Sequence, residues 1–234
     1  MRSLLSVLLI SFCTVNLFSQ TADKGRIKVN LGTGFGVLQT ISNSDINSTG
    51  FAVPSINYLE FEYNTHKQVS FGLELFSHTY NAEDTAVTSI GGGALGFDLK
   101  YYLTNKEKSN LFIGVTVGGA NLVYQAYHYP DSGSIDSTRK NIWFQAAGAY
   151  NKVYMGFNKY FGNVFGLSIK AGFMNMTYRL RDVTIDDVEV ERFDRMPVSS
   201  WNTLLRGGFV NIGFTLKFRN KTGNKEVVVD ESTG

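Results

Sequence analysis

"ALGFDLKYYL", residues 94–103, sets an aspartate and a lysine inside an otherwise apolar run. Leu95, Phe97, Leu99, Tyr101 and Leu103 share one parity; Gly96, Asp98, Lys100 and Tyr102 share the other. Successive side chains of a strand point to opposite faces, so this stretch has one apolar face and one face carrying both charges. Which face is buried, and in what, decides the fold.

The pattern recurs along the chain. Ile27, Val29, Leu31, Phe35 and Val37 alternate with Lys28, Asn30 and three glycines. Leu59, Phe61 and Tyr63 alternate with Glu60 and Glu62; Val69, Phe71, Leu73 and Leu75 oppose Ser70, Gly72 and Glu74. Leu111 to Val117 opposes Gly114, Thr116 and Gly118, and Val153, Met155 and Phe157 oppose Lys152, Gly156 and Asn158. Phe165 to Phe173 opposes Gly166, Ser168, Lys170 and Gly172, and Val210 to Phe218 opposes Asn211, Gly213, Thr215 and Lys217. With the opening stretch these make eight strands of period 2, and no helical period of comparable length appears. Connections alternate between short ("NTHKQ", "TNKEKSN", "FGN") and long polar segments near 39–50, 80–91, 129–140 and 181–200. That alternation is what an antiparallel up-and-down barrel produces, with both termini at the short-turn end.

Composition agrees with one all-β domain: 234 residues, 43% apolar, 24 Gly and only 3 Pro. A net charge of +2 with no basic tract argues against nucleic acid as a partner. Residues 1–19 read as a signal peptide, with Arg2 ahead of an apolar core from Leu4 to about Phe18. Cys13, the one cysteine, lies inside it, so the processed chain is expected to have no disulfide and no thiolate metal site. Residues 25–218 form the barrel, and 219–234 a polar tail.

Alternation alone does not say which face is outside, since a soluble lipocalin-like barrel alternates too. Two features of the polar face decide. It is rich in glycine, which weakens a strand and gains nothing against water but relieves crowding inside a narrow barrel. Its charges also nearly balance: Lys28, Lys100, Lys152, Lys170 and Lys217 against Glu60, Glu62, Glu74 and Asp98. Confined charges must pair, whereas solvated ones need not. The polar face therefore points inward and the apolar face to lipid, and a closed barrel leaves no unpaired edge in hydrocarbon. Lys100 and Asp98 are expected to find cross-strand partners in Glu74, Lys152 or Lys170. Tyr63, Tyr101, Tyr127, Tyr129, Trp143 and Trp201 near strand ends fit interfacial aromatic girdles.

The signal peptide, the eight strands and the closing "NIGFTLKF" resemble small outer-membrane β-barrels of the OmpA/OmpX-like type. The fold class expected is all-β: an eight-stranded antiparallel transmembrane barrel with short periplasmic turns and longer extracellular loops. Asn211, Gly213, Leu216 and Phe218 match the last-strand assembly signal of such barrels, although sixteen residues follow it here. The resemblance implies a Gram-negative cell outer membrane location, outer-membrane lipid and the barrel assembly machinery as partners, and no cofactor.

Three groups of residues are candidates for function. The interior ionic set, Lys28, Glu60, Glu62, Glu74, Asp98, Lys100, Lys152, Lys170 and Lys217, is either a polar path or a plug; eight strands favour the plug, because so narrow a lumen is filled by side chains. The acidic segment with Asp182, Asp186, Asp187, Glu189, Glu191 and Asp194 is a candidate surface interaction loop for an extracellular partner. "SHTYNAED" resembles the His-x-Ser-Asn-Ala stretch of outer-membrane lipid A deacylases, but Tyr80 stands where the serine nucleophile belongs. Ser77 and His78 should face opposite ways, so no catalytic or metal residues are assigned and no enzyme is expected. A structural or surface-interaction role is the leading reading. A small transport pore is the alternative, with a lipid hydrolase or a secreted hydrophobic-ligand binder behind it.

Overall fold

The computed structural model describes residues 25–42, 50–80, 87–128, 140–186, 188–189, 191–193, 196–197 and 202–218. The signal peptide, Cys13, Tyr129, Trp201, Asp187, Asp194, the tail and most of each long connection lie outside them.

Eight long strands carry the fold: β1 (Ile27–Ser42), β2 (Ser55–Asn64), β3 (Val69–Tyr80), β4 (Val87–Lys106), β5 (Ser109–His128), β6 (Lys140–Phe161), β7 (Phe165–Ile185) and β8 (Asn202–Phe218). Each pairs antiparallel with its neighbours in sequence, and β8 closes onto β1, so every long strand has two partners. The turns between β2 and β3, β4 and β5, and β6 and β7 are short; Gly162 takes φ 89° in the last of these, where a side chain would be strained.

A hydrogen-bonded rung followed round the ring starts at Ile27 and passes Tyr63, Phe71, Leu99, Val115, Val153, Phe173 and Gly208. It returns to β1 at Val37, ten residues from its start. A shear of that size on eight strands tilts them by about 40° and leaves an interior that side chains fill.

The apolar parity faces outward. Phe97 and Phe173 are each 72% exposed, and Leu31, Phe71, Leu95, Val115, Val153, Ile212 and Phe214 stand beside them in one belt. On most strands the belt runs for roughly nine residues, which at this tilt is about 20–25 Å, the height of a lipid-facing band. No helix among the described residues is long and apolar enough to cross a membrane.

The strands run farther than their apolar periods suggest. β1 reaches Ser42, β4 starts at Val87, and β7 continues to Ile185. Segments expected to be loops are therefore partly strand. The reason lies in the side chains above the belt, where the alternation inverts. Asn57, Ser77, Asn121, Asn151, Asn175 and Arg206 face out, while Ile56, Phe76, Met174, Met176, Leu205 and Phe209 are buried inside. This upper wall is built like that of a water-soluble barrel around its own apolar core, and that core holds the strands together past the membrane. At the loop end β7 turns back through Asp186 (φ 50°) to pair Thr184 and Ile185 with Glu189 and Val188.

Candidate functional site: the barrel lumen

Each lumen residue comes from the polar parity of a long strand, and the ring aims all of them at one axis. Lys28 on β1, Glu60 and Glu62 on β2, Glu74 on β3, Asp98 and Lys100 on β4, Lys152 on β6 and Lys170 on β7 are all buried. Lys100 lies at the centre. Its Nζ bonds to Glu60, donates to Glu62 Oε2 at 2.7 Å, and lies 3.6 Å from Asp98 Oδ2. Lys170 holds the other oxygen of Glu60, and Lys152 pairs with Glu74. Lys28 Nζ is 3.3 Å from Glu62 Oε1 and donates to the Tyr102 hydroxyl at 2.8 Å, while that hydroxyl also bonds to Glu62. Asp98 Oδ1 accepts from Thr116 at 2.7 Å and from Tyr154 at 2.6 Å. Four lysines thus meet four carboxylates, and the hydroxyls of Tyr102, Thr116 and Tyr154 add further bonds, which is the kind of arrangement that offsets removing such charges from water.

Lys217 stands apart. It sits at the turn end, over the Tyr160 ring at 3.8 Å and 3.3 Å from the Glu107 carbonyl oxygen.

The expected pairing of Lys100 with Glu74 is corrected. Register sets Glu74 opposite Gly96, four residues from Lys100, or about 13 Å along the strand. Lys100 has Ser70 and Gly114 as its direct neighbours. Across those small residues it reaches the carboxylates of β2 instead. Lys152 takes Glu74, and Asp98 relies on Lys100 and two hydroxyls.

Lumen glycines are filled from across the wall. A Cβ on Gly114 would lie 2.4 Å from the Tyr154 ring, and one on Gly156 would lie 2.3 Å from the Phe112 ring. The rings lie flat where a side chain is missing, and Tyr154 reaches Asp98 from that seat.

Above the ions the lumen holds a buried apolar core, which periodicity had missed. Lys152 marks the boundary, its Nζ 5.2 Å from the Phe76 ring centroid and 5.4 Å from that of Phe209. Higher still, His78 is buried; its Nε2 lies 3.1 Å from the Tyr178 hydroxyl, which also contacts Met176 Sδ at 3.2 Å. Ser77 is on the outer face. The hydroxyl beside His78 is therefore the buried phenol of Tyr178 and not the serine that the deacylase stretch would place there. A second apolar cluster, Ile142, Phe144 and Val183, sits near the loop end.

The acidic segment is spread out. Asp182 pairs in register with Gln145, Asp186 Oδ1 accepts from the Asn141 amide at 2.9 Å, and Glu189 and Glu191 are exposed. Among the described residues no three acidic or histidine side chains are grouped to hold a metal ion. On β8, Asn211 and Gly213 face the lumen while Leu216 and Phe218 face outward. Tyr63 is exposed near the turn end of the belt, and Tyr101 and Trp143 are partly so.

No protein-family model matches the chain, and no curated protein matches it in sequence. Solved structures do. The outer membrane protein OprG from Pseudomonas aeruginosa aligns at 13% identity and a TM-score of 0.51, over 84% of this chain and 97% of its own. Ail, the attachment invasion locus protein of Yersinia pestis, aligns at 10% identity and a TM-score of 0.43, over 83% and 99%. At these identities the likeness is one of fold, carried by the first: this chain has the fold of the small eight-stranded outer-membrane β-barrels.

Proposed function

We propose that the protein is an integral outer-membrane barrel with a structural or surface-interaction role. Its lumen is plugged, its short turns face the periplasm, and its long loops are exposed outside the cell. A signal peptide directs it there, the barrel assembly machinery reads Asn211, Gly213, Leu216 and Phe218, and outer-membrane lipid covers the belt. An extracellular partner meets the loops, including the acidic segment 182–194.

The observation that carries this reading is the balanced set of four lysines and four carboxylates, capped by a packed apolar core. A hydrated ion would have to break paired charges in the lower tier and shed water in the upper one. No cofactor and no catalysis are invoked: the hydroxyl facing His78 is the buried phenol of Tyr178, and Ser77 lies on the other face. Purified protein in planar bilayers should give no stable single-channel steps. Reproducible ohmic steps whose ion selectivity changes on Lys100→Ala would reject the plug and establish the pore. Release of the protein from membranes by carbonate or high salt without detergent would reject the membrane assignment and favour a secreted binder.

A further inference from the structure

The glycines of the wall fall into two kinds. Those facing the lumen are crowded: a Cβ on Gly118 would meet the Leu95 carbonyl oxygen at 2.1 Å. Four facing outward are not. A Cβ on Gly91 or Gly93 would find its nearest atom at 3.4 Å, and on Gly119 or Gly208 at 3.8 Å. Nothing within the protein requires glycine at these positions, and glycine weakens a strand unless something outside must approach the backbone closely.

Gly93 and Gly119 lie in a concavity of about 840 Å³ on the outer wall. Its floor is two adjacent rungs of the sheet. One rung runs Asn57, Ser77, Gly93, Asn121 and Ala147, and the next residue on it, just past the concavity, is Arg179. The rung below runs Leu59, Leu75, Leu95, Gly119 and Ala149. Asn121 Oδ1 accepts from the Gly93 amide at 2.7 Å, which fixes the carboxamide on the trough wall. Four strand spacings give the trough a length of about 19 Å, and Arg179 lies one spacing farther. Because the strands tilt, its apolar end lies at the top of the lipid-facing belt and its other end above it, beside the exposed guanidinium of Arg179.

We infer that this trough seats one phosphate-bearing membrane lipid, with its headgroup at Arg179 and its acyl chain along Gly119 toward Leu95, Leu75 and Leu59. The inference rests on the membrane reading above. Two arguments fix the occupant. The apolar end is continuous with the belt, so what covers the belt also covers the trough. The opposite end carries a cation suited to phosphate, because a guanidinium offers paired donors to its oxygens, and between the ends Asn57, Ser77 and Asn121 offer uncharged hydrogen-bonding groups.

The test is native mass spectrometry of the detergent-purified full chain titrated with dilauroyl phosphatidylglycerol. Arg179→Gln and the double variant Gly93→Val/Gly119→Val should each weaken lipid retention at least ten-fold. Arg206→Gln and Gly208→Val, on the wall outside the trough, should leave it within two-fold. Every variant faces outward, where a Cβ at Gly93, Gly119 or Gly208 meets nothing closer than 3.4 Å, and barrel closure is checked by heat-modifiable gel mobility. Equal retention in Arg179→Gln and Arg206→Gln overturns the inference. So does displacement of the lipid by equimolar inorganic phosphate, which would make this a site for free phosphate. A wild-type dimer that the glycine variants dissociate would make the occupant a second copy. Partition of the wild type into the detergent phase tests the membrane reading separately, so the two failures are distinguishable.

Discussion

Lys100 is the one cation that three buried carboxylates share, and its removal is the sharpest test of the lumen. Lys100→Met keeps most of the volume but deletes the bonds to Glu60 and Glu62 and the 3.6 Å contact to Asp98. Three lysines then face four carboxylates in a space closed to water. Breaking a buried pair by removing one partner costs about 3–5 kcal/mol, and a cation serving several anions belongs at the upper end. The second change follows from the pairing. Lys170 still holds Glu60, Lys28 still holds Glu62, and Lys152 still holds Glu74. The group left without a cation is Asp98, so Lys100→Met/Asp98→Asn restores three neutral pairs. That double variant should lose only about 1–2 kcal/mol, giving a coupling of at least about 2 kcal/mol, which is large for two residues in one network. Urea unfolding in detergent, read by tryptophan fluorescence and by the gel mobility of the closed barrel, measures both. A loss for the double variant equal to the sum of the single ones would refute the shared-cation account. A loss below about 1 kcal/mol for Lys100→Met would show that the lumen is wet enough to solvate the carboxylates.

Other consequences follow from the wall and the last strand. Leu99→Arg faces lipid near the middle of the belt and should cost about 2–4 kcal/mol in a folding assay in vesicles, whereas arginine at Asn121, on the outer wall above the belt, should cost about 0–1 kcal/mol; equal costs would misplace the membrane. Gly156→Val drives a branched side chain into the Phe112 ring and should lower the urea midpoint, by about 1–3 kcal/mol of overpacking; an unchanged midpoint would mean the ring has room to move. Phe218→Ala should slow insertion by the assembly machinery, measured as accumulation of unassembled chain, while deletion of 221–234 should not. The opposite outcome would transfer the signal to the tail.

The face assignment was legible in ten residues. Asp98 and Lys100 share a parity with glycines and a tyrosine, and their burial follows from that parity. Their partners were not legible, because a shear of ten residues decides which levels meet across the lumen, and no single strand encodes it. The upper tier was hidden for a different reason. In β6 the inward residues Ile142 and Phe144 have even numbers, whereas the outward belt residues Val153, Met155 and Phe157 are odd. Between them "QAAGAYN" carries little apolar signal, so a scan for alternation sees the strand end where the alternation changes sides. On β7 the change is abrupt: outward Phe173 is followed by inward Met174 and Met176. A switch of apolar parity within one segment, with no bulge required to explain it, is the sign that a strand leaves lipid for water.

The two tiers bear on the choice between plug and pore more strongly than either does alone. A lumen filled only by ion pairs could conduct by exchanging partners, since Lys100 bonds two carboxylates and Lys28 a carboxylate and a hydroxyl. A lumen filled only by apolar side chains could pass an apolar solute by rotamer changes. Here the tiers are stacked on one axis, with Lys152 at their junction beneath Phe76 and Phe209. A polar solute that exchanged its way past Lys100 would meet Met174, Met176 and Leu205, where it would lose its hydrogen bonds. An apolar solute entering from the loop end would meet Glu60, Glu62 and their lysines, whose pairing it would have to separate without replacing. On the proposed reading each tier excludes what the other would pass, and the surfaces left for function are the outer wall and the loops.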